Sequence, residues 1–188
     1  MSFKLYNHAQ GIYLSLLQPQ DAQELLELRL RNKEHHQRFE PLREADFFTL
    51  ESQQQLLSQR LSDSEHDRAY MFGIFLSDGR LIGQITLSNL VRGVAQYADL
   101  GYFMDYAIQG KGHMTAAVSL ILEYAFRALA LHRVQACILL HNDASRRVLE
   151  KSGFQAEGIA RRYLKINGEW QDHRTYAILA DDFLTARS

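Results

Sequence analysis

Hydrophobic and polar residues alternate in several short stretches of the chain, which is the pattern of half-buried β-strands. The first such stretch covers residues 12–16, and an apolar one covers residues 133–140. Between them, residues 69–90 read as two strands joined by an Asp-Gly turn, and a last pair of strands turns at an Asn-Gly at 167–168. Both dipeptides are typical of β-hairpins.

Other stretches repeat their apolar residues at helical spacing. A leucine-rich segment after Pro19 and Asp21 predicts a helix that ends at about Lys33. Pro41 disfavours helical conformation at the residue before it, so we expect a loop there. A second helix is predicted over 46–61, and a short helix after 142 is predicted to end at a glycine.

The centre of the chain, residues 98–126, combines a strand, a glycine-rich turn and an apolar helix. Two glycines at a strand-to-helix turn let the backbone approach a ligand closely, and the free N–H groups that follow bind anions, above all phosphate. Lys111 adds a positive charge to this turn. One helical face is expected to carry Met114, Val118, Ile121, Ala125 and Ala128.

Size and composition predict one globular domain spanning residues 1–188, with 46% apolar and 23% charged residues. A formal charge of −1 gives no general attraction to nucleic acid or to an anionic membrane, and no partner of either kind is expected. No apolar run has the length of a signal peptide or of a membrane span, so a cytoplasmic location is predicted.

Cysteine and histidine offer little chemistry in this sequence. Cys137 is the single cysteine and is interpreted as a small buried hydrophobe within a strand. His35 and His36 have no partner at metal-ligand spacing, so they are interpreted as surface histidines and no metal is predicted.

Four motifs resemble one protein family. The turn Gln109-Gly110-Lys111-Gly112 resembles the acyl-CoA loop of the GNAT acetyltransferases, Gln/Arg-x-x-Gly-x-Gly/Ala, with Met114 in place of the last small residue. The variant Gln-Gly-Lys-Gly-x-Met is similar to the ribosomal-protein-alanine (RimJ/RimL-like) branch. The other three motifs are Phe39-Glu40-Pro41, which resembles Trp-Glu-Pro of that branch, Asn142-x-x-Ser145-x-x-x-Leu149-x-Lys151-x-Gly153-Phe154, and Asn167-Gly168-x-Trp170-x-Asp172. Together the resemblance covers residues 10–183.

The resemblance implies an α/β (α+β) fold, the GNAT acyl-CoA N-acyltransferase fold, with a mixed central sheet of about seven strands flanked by helices. Two parallel strands, near 97–104 and 133–140, are expected to splay apart and to hold the pantetheine of acetyl-CoA. The pyrophosphate is expected on the turn and helix start. The implied cofactor-binding residues are Phe103, Met104, Gln109, Gly110, Lys111, Gly112, His113, Met114, Thr115 and Asn142. From the residues alone, Asn142 is equally well a helix N-cap.

The implied reaction is transfer of an acetyl group from acetyl-CoA to a primary amine, the N-terminal α-amine of a protein, with ribosomal proteins among the candidates. The candidates for catalysis are Ser145 as the acid for the leaving thiolate, with Asp99 or Glu40 as base or amine holder. Ser145 is equally a helix-capping serine, and both carboxylates have ordinary solvent-exposed alternatives. The absence of a marked Cys/His arrangement favours direct attack in a ternary complex over a covalent acyl-enzyme.

Two other functions stay open at this stage. One is acetylation of a small amine, such as a polyamine or an antibiotic, because fold does not determine the acceptor. The other is a CoA-binding module without turnover. The oligomeric state is open as well, although exposed aromatic residues in the last hairpin would suit a homodimer.

Overall fold

The structure is a computed structural model that describes residues 3–185. Its strands are β1 (Lys4–Asn7), β2 (Ile12–Leu16), β3 (Tyr70–Leu76), β4 (Leu81–Val91), β5 (Tyr97–Met104), β6 (Arg133–Leu139), β7 (Gln155–Ile166) and β8 (Glu169–Leu179). Its helices are α1 (Ala22–Gln37), α2 (Leu50–Glu65), α3 (His113–Glu123), α4 (Asp143–Lys151) and α5 (Ala180–Thr185).

All the strands belong to one mixed sheet in the order β1-β2-β3-β4-β5-β6-β8-β7. Every neighbouring pair is antiparallel except β5 and β6, which are parallel. The predicted fold class is confirmed, with eight strands where about seven were expected. The additional strand is β1, whose four residues are too few to show a clear alternating pattern, and which forms by pairing with β2.

The first two helices exist as predicted, but their ends differ. The first helix continues to Gln37, past the predicted end at Lys33, because Pro41 constrains only the residue before it. The second begins at Leu50 rather than at residue 46, because the Thr49 side chain accepts a hydrogen bond from the Ser52 amide and caps the helix. The first of these differences places residues 34–37 in α1 and therefore changes which of its side chains face the sheet.

The central helix α3 is buried on most of its surface between the sheet and the other helices. Met114, Val118, Ile121 and Ala125 are buried as predicted, whereas Ala128 is exposed. The reason is that the helix continues as a π-helical turn over Tyr124–Ala128. A π turn adds a residue per turn and so rotates the following side chains away from the earlier face.

The last hairpin is exposed on most of β7, which forms one edge of the sheet. Its exposed apolar side chains include Ile159, Tyr163, Leu164 and Trp170, in agreement with the expected exposure of its aromatic residues. Within residues 3–185, the structure contains no helix of the length and apolarity that crossing a membrane requires.

Candidate active site

The site is built around the point where β5 and β6 part. These two parallel strands pair only at Tyr97 with Arg133, Ala98 with Val134, and Asp99 with Gln135. Beyond these pairs, β5 stays with β4 as far as Met104, while β6 stays with β8 as far as Leu139. A wedge-shaped gap therefore opens between residues 100–104 and 136–139, and unpaired backbone groups line its walls.

The backbone of Met104 faces this gap. The Asp105 amide donates to the Ile82 carbonyl of β4 at 2.8 Å, and the C=O of the same peptide unit, that of Met104, points the opposite way. Phe103 was expected to contribute as well, but its carbonyl faces β4: a Cβ added to Gly83 would lie 2.7 Å from that oxygen. By the same alternation, Tyr102 joins Met104 in presenting its backbone to the gap.

The glycine turn lies at the open end of the gap, between β5 and α3. Gly110 and Gly112 have φ angles of 80° and 86°, a left-handed conformation that glycine adopts at no steric cost. Gly112 directly precedes α3, so the amides of residues 113–115 lack intrahelical acceptors and point out of the helix. The Met114 side chain is buried in the core, which leaves only its backbone for a ligand.

One further group at this turn fits a polar ligand. The Nδ1 atom of His113 is buried and has no hydrogen-bond partner among the described residues. A buried polar atom without a partner is unfavourable. The turn therefore combines free amides, an unsatisfied ring nitrogen and the exposed cation of Lys111, a set of groups suited to the phosphates of a nucleotide-containing ligand.

A pair of hydroxyls lies on the α4 side of the gap. Asn142 caps α4 by accepting from the Ser145 amide at 3.1 Å, and the Ser145 Oγ lies 2.7 Å from the Tyr102 hydroxyl oxygen. Burial raises the pKa of Tyr102, and the hydrogen bond with Ser145 opposes this only in part. Tyr102 therefore remains protonated and can donate to Ser145. This partner was not predicted from the sequence, although Tyr102 lies on the same strand face as Leu100 and Met104.

Glu40 and His36 lie on the α1 side of the gap. The carboxylate of Glu40 is 4.0 Å from the Nδ1 of His36, and its main-chain carbonyl accepts from the Asn167 amide of the β7–β8 turn at 2.9 Å. His36 is 9% exposed and its Nε2 lies 3.1 Å from the Met104 carbonyl oxygen. The interpretation of His36 as a surface histidine was wrong, because the longer α1 brings it against β5.

Asp99 lies away from these groups, at the closed end of the gap. Its two carboxylate oxygens accept from the side-chain amides of Asn89 and Gln135, each at 2.7 Å. Met104 lies five positions further along the strand, which corresponds to about 17 Å. Of the three predicted catalytic residues, the structure thus places Ser145 and Glu40 at the open end of the gap and Asp99 elsewhere.

Cys137 is half-buried rather than buried, because it shares the more exposed face of β6 with Gln135. Burial raises the pKa of the Cys137 thiol, the negative charge of Asp99 raises it further, and a hydrogen bond with Tyr163 lowers it. A thiol with a raised pKa carries little thiolate at neutral pH and is a poor nucleophile. Within residues 3–185, no group of three or more His, Cys, Asp or Glu side chains is arranged to hold a metal ion.

The buried guanidinium of Arg29 packs next to the α1 side of the site. Arg29 donates to the Gln53 side-chain oxygen at 2.7 Å and to that of Gln84 at 2.9 Å, and it packs on the ring of Phe103. Burial lowers the pKa of Arg29 to about 10, with an opposing contribution from the charge of Glu40. This arrangement fixes the ring of Phe103, which in turn contacts the imidazole of His36 at a centroid distance of 5.2 Å.

Comparison with known proteins places this geometry in context. The family model described as Acetyltransferase (GNAT) domain matches residues 12–155. The chain is 46% identical over 172 residues to "Probable N-acetyltransferase YjcK" of Bacillus subtilis, covering 91% of this chain and 95% of that protein. It is 31% identical over 177 residues to "[Ribosomal protein uS5]-alanine N-acetyltransferase" of Escherichia coli, covering 94% of this chain and 91% of that protein. The solved structure "Mycobacterium smegmatis RimJ in complex with CoA-disulfide" is similar with a TM-score of 0.88 and 30% identity, covering 99% of this chain and 94% of that chain.

The neighbourhood of Asp99 and Cys137 gives a testable prediction. Asp99→Asn should increase the rate at which Cys137 reacts with a disulfide reagent such as DTNB at about pH 8, by about threefold. The reason is that the Asp99 charge disfavours the thiolate, so its removal lowers the thiol pKa. Because the chain has a single cysteine, the absorbance change reports this thiol alone.

Glu169→Gln, a charge removal on the exposed hairpin, serves as the control and should leave the rate unchanged. Unfolding both variants in guanidinium should bring them to the same, faster rate. An Asp99→Asn rate equal to that of the parent chain would show that this carboxylate does not face the thiol.

Proposed function

The chain belongs to the acetyltransferase (GNAT) family and is an N-acetyltransferase, and we propose that it acetylates the N-terminal α-amine of a protein, using acetyl-CoA in a ternary complex. The observation that carries this proposal is the gap between β5 and β6, with a glycine turn and helix start at its open end. The proposal for the acceptor rests on the E. coli relative, which is named for the alanine of ribosomal protein uS5.

Acetyl-CoA fits the gap by backbone recognition. The pantetheine arm carries amide groups, which can pair with the gap-facing backbone of Tyr102 and Met104 as a third strand would. The pyrophosphate would then lie on the amides of residues 113–115, with Lys111 and the unsatisfied His113 Nδ1 beside it. On this arrangement the thioester lies in the gap, between the hydroxyl pair of Tyr102 and Ser145 and the carboxylate of Glu40.

Ser145 is placed to protonate the leaving thiolate. Its Oγ lies 2.7 Å from the Tyr102 hydroxyl oxygen, and when Tyr102 donates in this pair the hydrogen of Ser145 is free to point into the gap. Because burial keeps Tyr102 protonated, its hydroxyl can donate a hydrogen bond to the Ser145 oxygen while Ser145 gives up its own proton. Asn142 fixes the position of this serine by accepting from its amide, so the capping role and the catalytic role of this pair are compatible.

Glu40 is placed to hold the cationic acceptor. Its carboxylate is 38% exposed at the mouth of the gap, and its main chain is tied to the β7–β8 turn by the hydrogen bond from Asn167. An α-amine has a reference pKa of about 8, against about 10.4 for a lysine side chain. A protein N-terminus therefore loses its proton more easily than a lysine side chain does. It suits a site that offers the acceptor the carboxylate of Glu40.

The acceptor is tested by thiol release from acetyl-CoA with four amines: a basic peptide that begins with alanine, the same peptide with a blocked N-terminus and a free lysine, spermidine, and an aminoglycoside. We expect turnover with the free N-terminus only. Turnover with spermidine or the aminoglycoside would move the function to small amines. Tight acetyl-CoA binding without any turnover would favour a CoA-binding module and contradict the proposal.

The role of Ser145 gives a separate prediction. Ser145→Ala should lower kcat by about 10²–10⁴, the usual contribution of a general acid, while the Kd for acetyl-CoA changes little. Ser152→Ala is a matched control, since that hydroxyl donates to the Val148 carbonyl of α4. A loss below about threefold in Ser145→Ala would remove this residue from the mechanism.

A further inference from the structure

His36 occupies the mouth of the gap, yet the function described so far gives it no role. The last turn of α1 carries it to the end of β5, where its ring is buried and lies 3.1 Å from the Met104 carbonyl oxygen. That carbonyl faces the gap, because the other end of its peptide unit is bonded to β4. His36 therefore lies beside the place where the acceptor amine would meet the thioester.

The Met104 contact fixes the tautomer of His36. A carbonyl oxygen only accepts hydrogen bonds, so the Nε2 atom of His36 must carry the hydrogen. In the neutral ring, Nδ1 is then an acceptor with a free lone pair. It faces the Glu40 carboxylate at 4.0 Å, which is too long for a direct hydrogen bond. A cationic donor that bridges these two acceptors can donate a hydrogen bond to each of them.

We propose that His36 is the catalytic base, which takes a proton from the ammonium group of the acceptor at its Nδ1 atom while Glu40 holds the positive charge. This inference rests on the proposed function and adds the residue that it lacks. An imidazole exchanges protons near neutral pH, whereas a carboxylate is a much weaker base there. Asp99 has both oxygens occupied by amide donors, and it lies at the closed end of the gap.

The reaction balances with these groups. The ammonium gives one proton to Nδ1 of His36, and the imidazolium so formed lies next to the Glu40 carboxylate. The amine lone pair attacks the thioester carbon, a C–N bond forms, and the C–S bond breaks with its electron pair on sulfur. The thiolate takes a proton from Ser145, and the second N–H proton of the attacking nitrogen restores the hydroxyl pair. The proton on His36 leaves to water past Glu40, which is partly exposed.

The charged and titratable groups around His36 come from three directions. Glu40 follows it along the chain, and His35 precedes it with a ring-centroid distance of 5.6 Å. Arg29 packs on the ring of Phe103, and that ring in turn packs on the imidazole of His36. Burial, together with the charges of Arg38 and His36, lowers the pKa of His35, and its ring packs on Tyr106 away from Met104.

The test compares His36→Gln with the parent chain at two pH values. A glutamine amide can still donate to the Met104 carbonyl but cannot take a proton. With the alanine-starting peptide at about pH 7, where about nine-tenths of its α-amine is protonated, kcat/KM should fall by about 10²-fold. At about pH 9.5 the amine is already neutral, so the loss should shrink to about tenfold or less. The Kd for acetyl-CoA should stay within about twofold, since no change to its binding groups is made.

His35→Gln is the matched control, one residue away on the same helix, and should retain parent activity at both pH values. Added imidazole should restore part of the activity of His36→Gln at about pH 7 but not that of Ser145→Ala. A loss in His36→Gln that is equal at the two pH values would indicate a structural role and overturn the proposal, as would activity within threefold of the parent at pH 7.

The outcomes also separate this inference from the function on which it rests. If the parent chain acetylates the peptide and His36→Gln behaves like the parent, only the role of His36 fails. If the parent acetylates spermidine instead, the same comparison is made with spermidine, and the assignment of the protein acceptor fails alone. If the parent acetylates no amine, both proposals fail, because a base without an acceptor has no proton to remove.

Discussion

The incomplete pairing of β5 with β6 is the constraint on which the rest of the molecule depends. Two parallel strands that pair at three positions and then part leave backbone groups without partners, which a folded protein tolerates only where a ligand or a side chain satisfies them. Each strand is held by its other neighbour, β4 or β8, so the gap is part of the sheet and not a loop between domains. The helices α3 and α4 begin at this open end, and their starting turns supply the site.

Most of the fold was predictable from the sequence, because its signals are local. The hairpins followed from Asp-Gly and Asn-Gly turns, and the glycine turn before α3 followed from the left-handed backbone that it requires. The sequence did not predict β1, because four residues show no clear pattern and the strand forms by pairing with β2. The exposed Ala128 was missed because a π turn leaves no signature in the spacing of apolar residues.

The site was predictable where chemistry resides in motifs and not where it depends on tertiary contacts. Ser145, Glu40 and the glycine turn stand in recognisable motifs, but the hydroxyl pair of Ser145 with Tyr102 joins residues 43 positions apart. His36 escaped detection for a related reason: four additional residues of α1 turn a polar stretch toward the sheet. Met104 takes part in both sides of this site. Its carbonyl oxygen accepts a hydrogen bond from His36, and its backbone borders the ligand gap.

The central claim is that the pantetheine of acetyl-CoA pairs with β5 in the gap, and NMR-detected amide hydrogen exchange tests it most directly. With acetyl-CoA bound, exchange should slow at the amides of Tyr102 and Met104 and at residues 113–115. The amide of Phe103 faces β4, as that of Asp105 does, and should change little. Protection elsewhere in the sheet, with unchanged exchange at Met104, would contradict this account of the site.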